Sequence, residues 1–284
     1  MSHENKLSII GQVKKSLDDK LAIGQSKHQA KLNGSAQNHI YSWSTYRNYL
    51  SKACNFAKWA KSEHGCKTLD AARPYVDEYL ENRKDLSAYT QKLDASALAK
   101  VYSCSTKDFI STGIRHRADI TRSRGKKVRD SHFSEENHRE FINFCKGTGL
   151  RRREITELHG NQLIERDGGY FIGVTGKGGK YREAPIISDI KNIVSKMSSA
   201  GDGRVWDKIP NGADIHSYRS NYATTLYKSL ERPLEGLKHE EKYYCRKDLK
   251  GTSYDRQAMQ KTSEALGHNR ISIIAEHYIR STDE

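Results

Sequence analysis

A chain of 284 residues exceeds the usual single domain of roughly 100 to 200 residues, so two domains are expected, each able to bury a core. Hydrophobic residues make up 35%, charged residues 30%, and the mean hydropathy is −0.85; no apolar run approaches the roughly 20 residues of a membrane-spanning helix, which excludes a helical membrane protein. The net charge of +14 points to a polyanionic partner or to a generic solubility device, while five cysteines without a C-x-x-C pair read as reduced thiols, neither a disulfide framework nor a zinc site.

The N-terminus, MSHENKLSIIGQVKKSLDDK, has no continuous apolar segment and no small-residue cleavage site, so no secretory signal is expected and the chain is assigned to the cytoplasm. Helical spacing runs through residues 5–23, and residues 24–40, polar and rich in Gly, Ser and Asn, read as a mobile connector. The clearest helix follows, with Tyr46, Tyr49, Leu50, Ala53, Phe56, Ala57 and Ala60 on one face and Ser44 as its expected N-cap. Weaker helical patterns at 69–83 and 88–103 complete a small helical bundle over residues 1–112.

Residues 113–132 form a basic linker in which Arg115, Arg117, Arg122, Arg124, Lys126, Lys127 and Arg129 crowd together. Residues 1–130 hold 24 Lys/Arg against 13 Asp/Glu, whereas 131–284 hold 25 against 22, so the excess charge lies in the N-terminal half. The linker reads either as a solvated tether or as a strap along a phosphate backbone, exchanging condensed counterions for Lys and Arg.

A second domain, 133–284, opens with Ser134 as expected N-cap and Glu135 and Glu136 in the first turn, burying Phe141, Phe144 and Cys145 and stopping near Gly147 and Gly149. A short helix is expected at 151–159. Tyr170 to Val174 and Tyr181 to Ile187 flank TGKGGK as a hairpin, and helices follow at 188–199, 215–230, 257–266 and 270–280. The fold class is therefore mainly α with a small β-sheet.

TGKGGK fails the pattern G-x-x-x-x-G-K-[ST], which argues against nucleotide chemistry, and no paired acids or His/Asp cluster stands at ligand spacing, which argues against a metal nuclease. No cofactor is expected. What remains is a basic set: Arg151, Lys177, His216, Arg219, His268 and, near the end, Tyr278. Taken singly, each has a structural explanation as a helix-surface charge, a turn residue, a cap or an amphipathic side chain.

Their order and context change that reading. TGLRRREI, TGKGGKYREAP, HSYRSNYAT, LGHNR and HYIR resemble, in sequence order, the boxes of the tyrosine recombinase (phage integrase) family. The resemblance is close over residues 148–278, and the helical region before the linker is similar in character to the family's core-binding domain. It implies an α+β catalytic domain that, with the core-binding domain, forms a clamp around DNA. It further implies Arg151 and Arg219 as phosphate-clamping arginines, Lys177 as the hairpin lysine and general acid, and His216 as the histidine that assists tyrosine deprotonation or orients the phosphate. His268 would hydrogen-bond a non-bridging oxygen and Tyr278 would be the nucleophile, while Glu154 matches the acid three residues after the first arginine.

The implied activity is site-specific DNA recombination, as by the integrase of a mobile element, through a covalent 3′-phosphotyrosine without metal or ATP. The implied partner is double-stranded DNA with inverted-repeat core sites. The protein would be a tetramer on synapsed DNA, a monomer or weak oligomer when free, associated with a prokaryotic nucleoid and with accessory directionality proteins. A type IB topoisomerase-like enzyme and a catalytically silent DNA-binding regulator are the alternatives. The chain departs from the family in three ways. Ten residues separate His268 from Tyr278, one more than is common; 49 separate Arg219 from His268, the surplus forming an ordered surface insertion over 231–255 for contact with DNA, with protein, or with neither. Only six residues follow Tyr278, so the tail that relatives dock onto a neighbour is expected to be largely missing.

Overall fold

Residues 7–116, 133–176, 179–246 and 249–279 are described in a computed structural model. The chain divides into two compact units, Met1–Asp119 and Ile120–Glu284. Among the described residues no helix is long and apolar enough to cross a membrane.

In the first unit, α1 (Ile9–Asp18) buries Ile9, Val13 and Leu17, a spacing of four that lays one stripe on the core. Residues 24–40 are not a simple connector. They hold a short helix, α2 (Lys27–Leu32), capped by Ser26, and end on Ile40, which is 1% exposed and pairs its backbone with Lys20 and Ala22. One apolar anchor thus ties a polar segment into the bundle. The long helix α3 (Trp43–His64) is capped by Ser42, not Ser44: Ser42 is extended at φ −148°, ψ 143°, so its Oγ accepts the Thr45 N–H at 3.2 Å, while Ser44 already lies within the first turn. Helices α4 (Leu69–Ala72), α5 (Val76–Glu81) and α6 (Ala88–Val101) complete the unit, with α3 packed against α1 and α6. Buried Asp94 on α6 is matched by Arg83 at 2.9 Å and Lys52 at 3.4 Å.

The second unit opens later than its sequence indicates. Ser134 closes a turn, its Oγ accepting the Asn137 N–H at 3.3 Å, and His138 at φ −115°, ψ 20° separates that turn from α7 (Arg139–Thr148). Phe141, Phe144 and Cys145 are buried as expected, and Gly149 ends the helix at φ 61°. Then come α8 (Arg152–Thr156), β1 (Leu163–Arg166), β2 (Gly169–Thr175) and β3 (Tyr181–Pro185), the strands forming an antiparallel sheet in that order. Strand β1 extends the expected hairpin by one member. Its turn into β2 is Asp167–Gly168, both at positive φ (53° and 74°), the conformation for which Asp-Gly is suited.

Helices α9 (Ile190–Ala200) and α10 (Ile215–Leu230) follow, α10 packing along α7. The insertion adds a second small sheet where one was expected, β4 (Lys242–Tyr244) against β5 (Ser253–Asp255). Its base is closed by Arg232, which meets Asp255 through Nε and Nη2, both at 2.8 Å, and Glu241 through Nη1 at 2.8 Å. Helices α11 (Arg256–Ala265) and α12 (Ser272–His277) end the described chain and pack with α10 around Tyr222, Met259, Leu266 and Ile274.

Candidate active site

Arg151 stands where α7 gives way to α8. Gly149, left-handed and with the Tyr222 ring where a Cβ would be, lets the chain reverse, and Arg151 takes an extended backbone as the first residue outside α8. Its Nη1 donates to Glu154 Oε1 at 2.7 Å, its backbone N–H to Glu154 Oε2 at 2.8 Å and its Nη2 to the Leu266 carbonyl at 3.0 Å. Arg219 lies on the buried face of α10 and is only 3% exposed. It donates Nη1 to the Gly149 carbonyl and Nη2 to the same Leu266 carbonyl at 2.5 Å. One carbonyl at the end of α11 therefore fixes both guanidiniums.

The third donor of Arg219, Nε, reaches Tyr278 Oη at 3.3 Å, and His268 Nε2 stands 3.2 Å from the same oxygen. Tyr278 itself is 6% exposed. His216, one helical turn before Arg219, is exposed on α10, its ring centroid 5.8 Å from that of Tyr278. The extra residue between His268 and Tyr278 does not part them. The Ile274 carbonyl accepts both the Tyr278 N–H at 3.0 Å and the Ile279 N–H at 2.9 Å, a widened last turn of α12 that absorbs the added length.

Arg182, which no sequence motif singled out, completes the cluster. Its Nη1 and Nη2 grip Glu154 Oε1 and Oε2, both at 2.8 Å, and its Nε donates to the Ala265 carbonyl at 2.9 Å. Its position in β3 was the available signal, since Arg182 shares a strand face with Ala184, and both are buried. Burial pushes the Glu154 carboxyl up, but hydrogen bonds and charge from Arg182, with the Arg151 donors, outweigh it and hold the group at about 2. Burial, chiefly, lowers Arg219 to about 10, with Arg151 and Arg182 adding to the effect and Tyr278 opposing it. His268 falls to about 4, through burial first and then the charges of Arg219, Arg151, Arg182 and His277. Two guanidiniums, of Arg151 and Arg182, thus share one carboxylate and the third, of Arg219, has none, a surplus of positive charge fixed before any anion arrives.

This chain is similar to two solved structures of the XerH site-specific recombinase. One, bound to difH substrate before cleavage, is 15% identical, with 95% of this chain and 92% of that chain covered and a TM-score of 0.53. The other, on palindromic difH after cleavage, is 16% identical, with 96% and 93% covered and a TM-score of 0.54. The chain has the tyrosine-recombinase fold. Comparison with protein-family models gives no match, and comparison with curated proteins gives none.

Of the residues expected to form a tyrosine-recombinase site, Arg151, Arg219, His268 and Tyr278 are brought together, with His216 at their edge. Lys177 lies outside the described residues. Of the described residues on either side, Gly176 donates its N–H to the Lys180 carbonyl at 2.7 Å, and Lys180 donates Nζ to Asn269 Oδ1 at 2.9 Å. A cavity of about 390 Å³ lies here, lined by Arg151, Gly176, Lys180, Arg182, His268 and Arg270 among others. Among the described residues, no group of three or more His, Cys, Asp or Glu side chains is placed to hold a metal ion. Of the linker cations, Arg115 sits over the Tyr89 ring at 5.2 Å, while Arg117, Arg122, Arg124, Lys126, Lys127 and Arg129 lie outside the described residues.

Proposed function

We propose that the protein is a site-specific DNA recombinase, the integrase of a mobile element, which cleaves and rejoins DNA through a 3′-phosphotyrosine at Tyr278. The observation that carries this reading is the Tyr278 hydroxyl held by Arg219 Nε and His268 Nε2 while Arg151 and Arg219 share the Leu266 carbonyl. Attack by the phenol oxygen on a phosphodiester builds negative charge on the non-bridging oxygens, and Arg151 and Arg219 offer planar, permanently charged donors to meet it. Lys177, which lies between β2 and β3 in the sequence, protonates the departing 5′ oxygen. The phosphotyrosine conserves the bond energy, so a second DNA end completes exchange without ATP. Residues 1–112 are the core-binding domain, 113–132 the basic linker and 133–284 the catalytic domain; the substrate is duplex DNA with inverted-repeat core sites, held by a tetramer at synapsis.

A nicked suicide duplex carrying an inverted repeat from the DNA beside the gene tests the proposal. Wild-type protein is expected to become covalently attached in the presence of EDTA, and Tyr278→Phe to bind the duplex with similar affinity yet form no adduct. A denaturing gel that still shows attached Tyr278→Phe moves the nucleophile elsewhere, and the absence of any wild-type adduct rejects the enzyme.

A further inference from the structure

We infer that the insertion over residues 231–255 is a strut within its own chain, tying the end of α12, where Tyr278 stands, to the helix that carries Arg219, with Tyr243 as the positioning residue. The inference rests on the reading of Tyr278 as nucleophile and concerns what holds it in place. Helix α12 is poorly equipped to hold itself. It has six residues, no side chain caps its N-terminus, and its last turn is widened at the Ile274 carbonyl. A helix shorter than roughly 12 residues is marginal without tertiary packing. On one side that packing comes from α10, where Thr224 Oγ1 donates to the Tyr278 carbonyl at 3.3 Å.

The insertion supplies another side. Tyr243 on β4 stands opposite Tyr254 on β5, and directly opposed residues of an antiparallel pair share a face. That face is turned inward: Tyr243 and Tyr254, with buried Cys245, belong to the core that holds Ile274, Ala275, Tyr278 and Ile279. Ser272 and Glu276, one turn apart on α12, both act on the Tyr243 phenol, so its ring lies along one face of that helix. Tyr244, the next residue of the strand, points the other way; it is 46% exposed and stacks on His239. The far end of the strut is fixed to α10. Tyr254 meets Tyr227 edge-on with centroids 5.6 Å apart, and Tyr227 Oη accepts the Asp255 N–H at 3.0 Å. Arg232, just past α10, grips Asp255 and Glu241. Tyr227 and Arg219 share one helix, so the hairpin sets the end of α12 against the same body that carries the guanidinium. Reacting atoms tolerate little error in that distance, since a misplacement of about 1 Å costs roughly a hundredfold in rate.

The test compares the full chain with Tyr243→Ala, Tyr243→Phe and, as the outward-facing control, Tyr244→Ala. Duplex affinity, assembly on DNA and single-turnover adduct formation on the suicide duplex at saturating DNA are measured for each. Tyr243→Ala is expected to keep affinity and assembly while slowing the covalent step by roughly tenfold to a hundredfold. Tyr243→Phe, which keeps the ring, should recover most of that loss, and Tyr244→Ala should match wild type. A loss that follows Tyr244, or one accounted for by weaker assembly, puts the insertion against DNA or a second copy and overturns the strut. Hydrogen exchange on the wild-type chain needs no variant. The Tyr278 and Ile279 amides, both bonded to the Ile274 carbonyl, should open in the same cooperative step as the Cys245 amide, which is bonded to the Thr252 carbonyl of the hairpin. Opening of α12 well ahead of the hairpin overturns the inference even where the alanine variant does not fold. A wild-type chain that forms no adduct would sink the reading of Tyr278 as nucleophile, while the exchange result still decides the strut.

Discussion

Glu154 accepts from Arg151 and Arg182 at once, and with its side chain almost wholly buried it is the counter-charge on which the cationic site is built. Removing one partner of a buried pair leaves the other charge uncompensated, a loss of about 3 to 5 kcal/mol. Glu154→Gln is therefore expected to cost stability at the lower end of that range, because the amide keeps one acceptor, and to slow cleavage by loosening Arg151. The pH dependence has a definite sign. A carboxyl held at about 2, below the usual value near 4.3, adds stability that is fully present above pH 5 and is lost as the pH falls through its folded value. Denaturant melts of wild type and Glu154→Gln should differ most near neutrality, begin to converge below about pH 5 and meet only near pH 2. A gap that persists undiminished to pH 2 would mean the pair contributes through shape alone.

At the scale of elements, the insertion is stapled to the domain through Asp255, which is buried, receives the Arg232 guanidinium twice and its backbone N–H once, and also accepts the Gln257 N–H at 2.9 Å as the cap of α11. Arg232 chiefly, aided by backbone N–H groups and opposed by burial, holds the Asp255 carboxyl well below the usual range. Losing the cap and its charged hydrogen bonds together is expected to cost about 2 kcal/mol in Asp255→Ala. Protease cleavage within 231–255 should appear first in that variant, and an unchanged digestion pattern would show that the staple is dispensable. Much of this organisation is legible in the sequence. Helix α10 falls on the expected 215–230 because Ile215, Tyr218, Tyr222 and Leu226 keep a strict helical period. Strand β1 escapes because four residues are too short for alternation to register, although Asp167–Gly168 announces its turn. The cap of α3 is misplaced by two residues since two serines compete locally, and only the extended backbone at Ser42 decides between them. Within the site, ordered motifs mark Arg151, Arg219, His268 and Tyr278, but Arg182 reads along the chain as one more polar strand residue. Its role comes from Glu154, 28 positions away, which no local pattern encodes.

Across the whole molecule the charge is unevenly distributed: residues 1–130 carry 24 cations against 13 acids, while in the second unit Arg151, Arg182 and Arg219 gather at one site. General affinity for DNA is therefore expected to come largely from the basic run, and chemistry from the second unit. Replacing Arg122, Arg124, Lys126 and Lys127 by Gln should weaken binding to specific and nonspecific duplexes by a similar factor, because phosphate recognition carries no sequence information. Every cation–phosphate pairing that is removed should also flatten the slope of log K against log salt by about 0.9, as fewer counterions are released. The covalent step, measured at saturating DNA, should be nearly unchanged, since the site cations are other residues. An unchanged salt slope would make the run a tether, and a loss confined to the specific duplex would put these side chains on base edges instead of the backbone.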